Sequence, residues 1–100
     1  MTIDFVAMTN NVEQAEQLLK MLANKNRLMI LCALQHGEMS VSALNEAVPL
    51  AQSALSQHLA TLRKANVVTT RRQSQTIYYR VVDENTQAIL ATLYDLFCKE

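Results

Sequence analysis

The chain of 100 residues has a single glycine, Gly37, and a single proline, Pro49. Collagen-like repeats, flexible linkers and long glycine-rich loops are therefore excluded. Half of the residues are hydrophobic and 18% are charged, so the composition also excludes a disordered segment. A chain of this length supports one core and little more, which predicts one domain over residues 1–100, compact and mainly α-helical. No apolar run approaches the roughly 20 residues needed to span a bilayer. The segment from Met1 to Thr9 carries Asp4 and no basic residue, unlike a secretory leader. Both observations predict a cytoplasmic protein with no membrane partner.

Hydrophobic spacing sets the expected elements. Asn10 with Glu13 three residues on has the pattern of a helix N-cap and its capping-box partner. Val12, Ala15, Leu18, Leu19 and Leu22 follow at helical spacing, predicting a first helix to about Ala23. Asn24 caps a second helix, apolar all round from Leu28 to Leu34, which stops at Gly37 and forms the centre of the core. Ser40 begins a short third helix through Ala47, ended by Pro49. A fourth runs from Gln52 to Ala65 and is stopped by Asn66, a residue that tolerates the left-handed conformation. The period then changes. Val67 to Arg72 and Thr76 to Val82 are rich in Val, Thr, Ile and Tyr and flank Gln73, Ser74 and Gln75, predicting an antiparallel hairpin. Asp83 caps a last helix containing Ile89, Leu90, Leu93, Leu96 and Phe97. The expected order is α-α-α-α-β-β-α.

The net charge of zero hides an asymmetry. Between Ala47 and Val82 there is no Asp or Glu, while Arg63, Lys64, Arg71, Arg72 and Arg80 all fall there, so this stretch is +5 and the remainder −5. A basic segment in an otherwise acidic chain is either a solvated face or the footprint of a polyanion. At 100° per residue, Gln52, Ser53, Ser56, Gln57, Ala60, Arg63 and Lys64 share an arc of about 140°, with Leu55, Leu59 and Leu62 opposite. Gln can pair bidentately with an adenine edge, Ser bonds bases or phosphate, and Arg and Lys neutralise phosphates. These are the groups of a DNA-reading helix. Pro49, Leu50 and Ala51 make a connection short enough for a helix-turn-helix, and the hairpin adds Arg71, Arg72 and Gln75 as a basic wing. His58 lies at the edge of the buried arc, where it either packs against backbone or reaches DNA, and it is kept among the candidate contacts. The plan is a mainly α winged helix-turn-helix with a two-stranded β-wing. No Ser/His/Asp set, paired carboxylates or Gly-rich phosphate loop suggests an enzyme.

The segments LANKNRLMILCAL, MSVSALNEAVPLAQSALSQHLATLRKANVV and RRQSQTIYYRV resemble the ArsR/SmtB family of dimeric winged-helix repressors over nearly the whole chain. Three departures stand out. Ala51 replaces a usual capping Ser or Thr, which should cost about 1 kcal/mol of helix capping. Asn66 replaces a usual Gly, and Ser74-Gln75 replaces the common Gly-Arg of the wing, removing one basic contact. The resemblance implies a homodimer that docks two Gln52 to Lys64 helices on an inverted-repeat operator in double-stranded DNA. The first and last helices would form the dimer surface, because their apolar stripes exceed what a thin trihelical core can cover.

Family members often bind metals through a cysteine pair at the start of the third helix or through ligands on the last helix. This chain has Ser40-Val41-Ser42-Ala43 at the first place and no His at the second, and His36 and His58 fall in different helices, so no metal or other cofactor is expected. Cys32 and Cys98, with ILCAL and LYDLFC around them, resemble instead the two-cysteine subgroup typified by BigR, SqrR and HlyU. That resemblance implies a repressor released from DNA by thiol oxidation or persulfidation, with a reactive sulfur species or oxidant as inducer. Cys32 as a small core residue is the alternative at that position, its apolar neighbours raising its pKa. For the whole chain the rivals are a winged-helix regulator without a thiol switch, such as an anti-silencer, and a protein-interaction module.

Overall fold

The structure is a computed structural model and describes residues 2–99. Its elements are α1 (Phe5–Leu22), α2 (Lys25–Ala33), β1 (Met39–Ser40), α3 (Val41–Ala47), α4 (Gln52–Lys64), β2 (Val68–Gln73), β3 (Thr76–Val81) and α5 (Glu84–Phe97), with a 3-10 turn at Leu34–His36. After α1, three helices begin where short polar side chains supply acceptors for amides that a helix leaves unpaired. Asn24 Oδ1 accepts from the N–H groups of Asn26 and Arg27, both at 3.0 Å. Ser40 Oγ accepts from Ala43 at 3.1 Å, and Asp83 accepts from Thr86 at 2.8 Å. Arg27 serves the opposite end of α1. Its guanidinium donates to the carbonyls of Met21 at 2.6 Å and Lys20 at 3.2 Å, closing that helix against the start of α2. Asn66 at φ 62° ends α4 and Gly37 at φ 126° ends the 3-10 turn. With ψ at −179°, Gly37 occupies backbone space that residues with a Cβ essentially do not enter.

The core is built on α2 and α4. Ile30, Leu31, Leu44, Leu55, Leu59 and Leu62 are fully buried, Val67, Val68 and Val81 close the sheet side, and Leu22 and Leu90 join from the terminal helices. Truncating any of these leucines to alanine should cost about 2–5 kcal/mol. The sheet packs one face on this cluster.

Four expectations need correction. The N-cap of α1 lies six residues before Asn10, because Asp4 is the cap and accepts from the Ala7 N–H at 3.1 Å. Thr9 and Asn11 then donate to the carbonyls four residues back, at 2.8 Å each, so their polar groups are satisfied inside the helix rather than at its start. The second helix tightens to 3-10 geometry at Leu34 instead of running unbroken to Gly37. The sheet has three strands, ordered β1-β3-β2, with Met39 opposite Tyr79 and Ser40 opposite Tyr78, so the order is α-α-β-α-α-β-β-α. Two residues are too few to show a period, and only the free edge of β3 makes them a strand. Finally, Gln73 pairs with Thr76, which shortens the hairpin turn to Ser74 and Gln75, with Ser74 at φ 55° as primed two-residue turns require.

Candidate nucleic-acid interface and thiol pair

The turn between α3 and α4 follows from Pro49. Val48 ahead of it is extended at ψ 122°, as a residue before proline must be, and α3 ends there. The Leu50 N–H donates to the Val48 carbonyl at 2.8 Å, and Asn45 Nδ2 donates to the Leu50 carbonyl at 2.8 Å. Ala51 gives α4 no side-chain cap, so the turn is tied from α3 instead.

Helix α4 presents two unlike faces. Leu55, Leu59 and Leu62 are buried, while Gln52, Ser53, Ser56, Gln57, Ala60, Arg63 and Lys64 are exposed on the side away from them. No acid lies on that face, and among the described residues neither Arg63 nor Lys64 has a salt-bridge partner. His58 is half-buried at the boundary between the faces, and its ring makes no hydrogen bond to backbone among the described residues. Between the C-terminal half of α4 and the sheet, an open cleft of about 450 Å³ is lined by Ser56, Ala60, Arg63, Lys64, Asn66 and Tyr79. It continues the polar surface of the helix toward the wing.

The wing separates residues that sit side by side in sequence. Side chains alternate across a sheet, so Arg72 shares a face with the buried Val68 and Val81, while Arg71 shares the outer face with Tyr78 and Arg80. Arg72 and Gln75 are exposed near the tip. Arg71 is committed elsewhere. Its Nε lies 3.2 Å from each carboxylate oxygen of Glu38, a terminal nitrogen makes the ion pair with the same group, the other donates to Gln73 Oε1 at 2.9 Å, and the guanidinium lies 4.6 Å from the Tyr78 ring centroid. This hydrogen bonding is the main reason the Glu38 carboxyl is held below the usual carboxylate range. Sequence reasoning missed Glu38, because its partner is 33 residues away and no local pattern links them.

Cys32 and Cys98 are both free thiols and both exposed. Cys32 therefore lies on the outer side of α2 and is no core residue. Burial still pushes its pKa up, and the charge of Cys98 adds to the rise. Among the described residues, no three His, Cys, Asp or Glu side chains gather as a metal site would require, and no helix is long and apolar enough to cross a membrane. The terminal helices carry a third kind of surface. Phe5, Val6, Met8, Val12 and Leu19 on α1 and Tyr94, Leu96 and Phe97 on α5 are all exposed, Phe5 and Phe97 by 79% each.

A helix-turn-helix whose second helix is acid-free on its outer face, followed by a β-hairpin, defines a winged-helix DNA-binding protein. The family described as bacterial regulatory protein, arsR family, matches residues 24–70. The chain is 44% identical over 92 residues to the transcriptional activator HlyU of Vibrio cholerae, across 92% of this chain and 85% of that one. It is 38% identical over 96 residues to the biofilm growth-associated repressor of Agrobacterium fabrum, across 96% and 82%. The crystal structure of the transcriptional repressor BigR from Xylella fastidiosa matches with a TM-score of 0.92 at 34% identity, over 98% of this chain and all of that one. The protein belongs to the ArsR family of bacterial transcriptional regulators and is not an enzyme.

Proposed function

We propose that the protein is a homodimeric transcriptional repressor that binds an inverted-repeat operator and releases it when Cys32 and Cys98 are oxidised or persulfidated. The observation that carries the DNA-binding half is the acid-free outer face of α4. Gln52, Ser53, Ser56 and Gln57 meet base edges in the major groove, with His58 at their margin. Arg63, Lys64, Arg72 and Gln75 meet the backbone. Two copies related by a two-fold axis read half-sites whose centres lie about 34 Å apart, one turn of DNA. The exposed apolar residues of α1 and α5 pack against the second copy.

The switch half rests on two free, exposed thiols, one on α2 and one at the end of α5. The thiolate of Cys98 takes the sulfane sulfur of a persulfide donor and frees the donor's thiolate. Cys32, held mostly as thiol at neutral pH, deprotonates and displaces hydrosulfide from the Cys98 persulfide, closing a bridge between α2 and the end of α5. A cross-link there shifts the reading helices relative to one another. The test is a mobility shift on the protein's own upstream region, reduced, persulfide-treated and re-reduced, with the adduct read by mass spectrometry. Release on treatment and recovery on re-reduction are expected. A duplex bound equally in all three states would leave a regulator without a thiol switch.

A further inference from the structure

The wing holds an arginine that its own fold has already paired. Glu38 precedes β1, and β1 lies on the far side of β3 from β2, so its carboxylate reaches across the whole sheet to Arg71. The fork is filled on both sides, by Glu38 and by Gln73, and Tyr78, opposite Arg71 in the register, carries the guanidinium face. Arg80, which also acts on the Glu38 carboxylate, stands on the same outer face. By contrast, Arg63, Lys64 and Arg72 have no carboxylate partner among the described residues. A backbone phosphate offers a guanidinium the same bidentate acceptor that Glu38 does, and only one of them can hold Arg71 through the same donors.

We propose that Glu38 is an intramolecular competitor of the DNA backbone: it withholds Arg71 from phosphate and so limits the number of cations the wing contributes. This rests on the DNA-binding reading above. A phosphate contact carries no sequence information, so the competition sets the electrostatic part of the affinity and leaves base preference alone.

The test compares wild type, Glu38→Gln, Glu46→Gln and the Glu38→Gln/Arg71→Gln pair on the operator and on an unrelated duplex, across a salt series. Freeing Arg71 should steepen the slope of log affinity against log salt by about 0.9, so Glu38→Gln loses about three- to fourfold more affinity than wild type between about 50 and 200 mM salt. Both duplexes should show the same change, and adding Arg71→Gln should cancel it. Glu46 is an exposed acid on α3 with no cation partner among the described residues, and it controls for removing one negative charge near the reading helix. An equal steepening by Glu46→Gln would overturn the proposal, as would an unchanged slope in Glu38→Gln. Weaker binding by Glu38→Gln at every salt concentration would also overturn it, because the pair would then be positioning the wing for contact. A wild type that binds no duplex at low salt would remove the DNA-binding reading as well, whereas normal binding with any of the other three outcomes removes this proposal alone.

Discussion

The middle of the chain and its two ends treat apolar surface in opposite ways. From Met21 to Val81 among the described residues no large hydrophobic is left exposed, whereas Ile3, Phe5, Val6, Met8, Val12 and Leu19 at one end and Val82, Tyr94, Leu96 and Phe97 at the other all are. Helix α4 covers a saturated leucine face with Ser, Gln, Arg and Lys, so its polar side is free for a ligand. Helices α1 and α5 touch the core mainly through Leu18, Leu22, Ile89 and Leu90 and leave the rest of their stripes in water. The helix-turn-helix thus buries its apolar surface within one chain, and the terminal helices do not. In the proposed dimer this exposed apolar surface would be covered by a second copy bringing the same two stripes.

The largest effect should come from charging the exposed stripes of the terminal helices. Leu19→Glu/Phe97→Glu puts charge into the exposed stripes of both helices without touching a buried residue. Sedimentation velocity should show a wild-type dimer and a variant monomer, and operator affinity should drop about a hundredfold or more as the two half-sites cease to be bound together. A wild-type monomer, or a variant that binds as well as wild type, would mean that the ends serve some other partner.

Next in size is the link between the two regions. Coupling between a ligand site and a binding surface is typically worth about 5- to 150-fold in affinity. Cys32→Ser and Cys98→Ser should each bind the operator like wild type when reduced and each lose that drop on persulfide treatment, since neither thiol lies in the basic segment and neither alone can close a bridge. One variant that still responds would point to a single-cysteine mechanism. A double variant that still releases DNA would end the thiol reading.

Within the reading head the expected effects are smaller and differ in kind. Gln57→Ala should lose about tenfold on the operator and relax preference at one base pair, with no change on unrelated DNA. Arg72→Gln should weaken every duplex about threefold and flatten the salt slope by about 0.9. Titration of both variants against operator and random duplex separates them. Equal losses across sequences from both would take Gln57 out of base reading.

What could be read from the sequence is what local chemistry decides. Asn24, Ser40, Asp83 and Asn66 each announce a boundary through a side chain that bonds to a backbone within three residues or through a tolerated positive φ, and the leucines of α4 announce their face by spacing alone. The start of α1 was not legible, because Asp4 and Asn10 are both competent caps and the choice between them depends on whether Thr9 and Asn11 can bond back along the helix. Strand β1 and the Glu38–Arg71 pair depend on contacts some 30 to 40 residues away in sequence, for which neighbouring residues carry no signal. The wing illustrates the cost: Arg71 and Arg72 look equivalent in sequence, yet a one-residue step puts them on opposite faces and gives one of them a carboxylate.

The smallest effect is also the one that separates Cys32 from the core beside it. Leu31 is fully buried and Cys32 is exposed, one residue further round α2. Replacing Leu31 with Ala should cost about 2–5 kcal/mol, whereas Cys32→Ser should stay within about 0.5 kcal/mol by chemical denaturation, since a surface position leaves no cavity. A residual pH dependence should remain in the wild type. Because burial raises the Cys32 pKa in the folded state, the native chain holds that proton more tightly than the unfolded one. Stability is therefore undiminished below the ordinary thiol range and is eroded as pH rises through the higher folded-state value, so it should fall slightly as pH rises past about 8.5. Cys32→Ser should remove that slope, and alkylation of Cys32 followed by mass spectrometry should still be accelerating at the top of the same pH range. A Cys32→Ser variant as destabilised as Leu31→Ala would return the residue to a packing role and leave Cys98 as the sole candidate sensor.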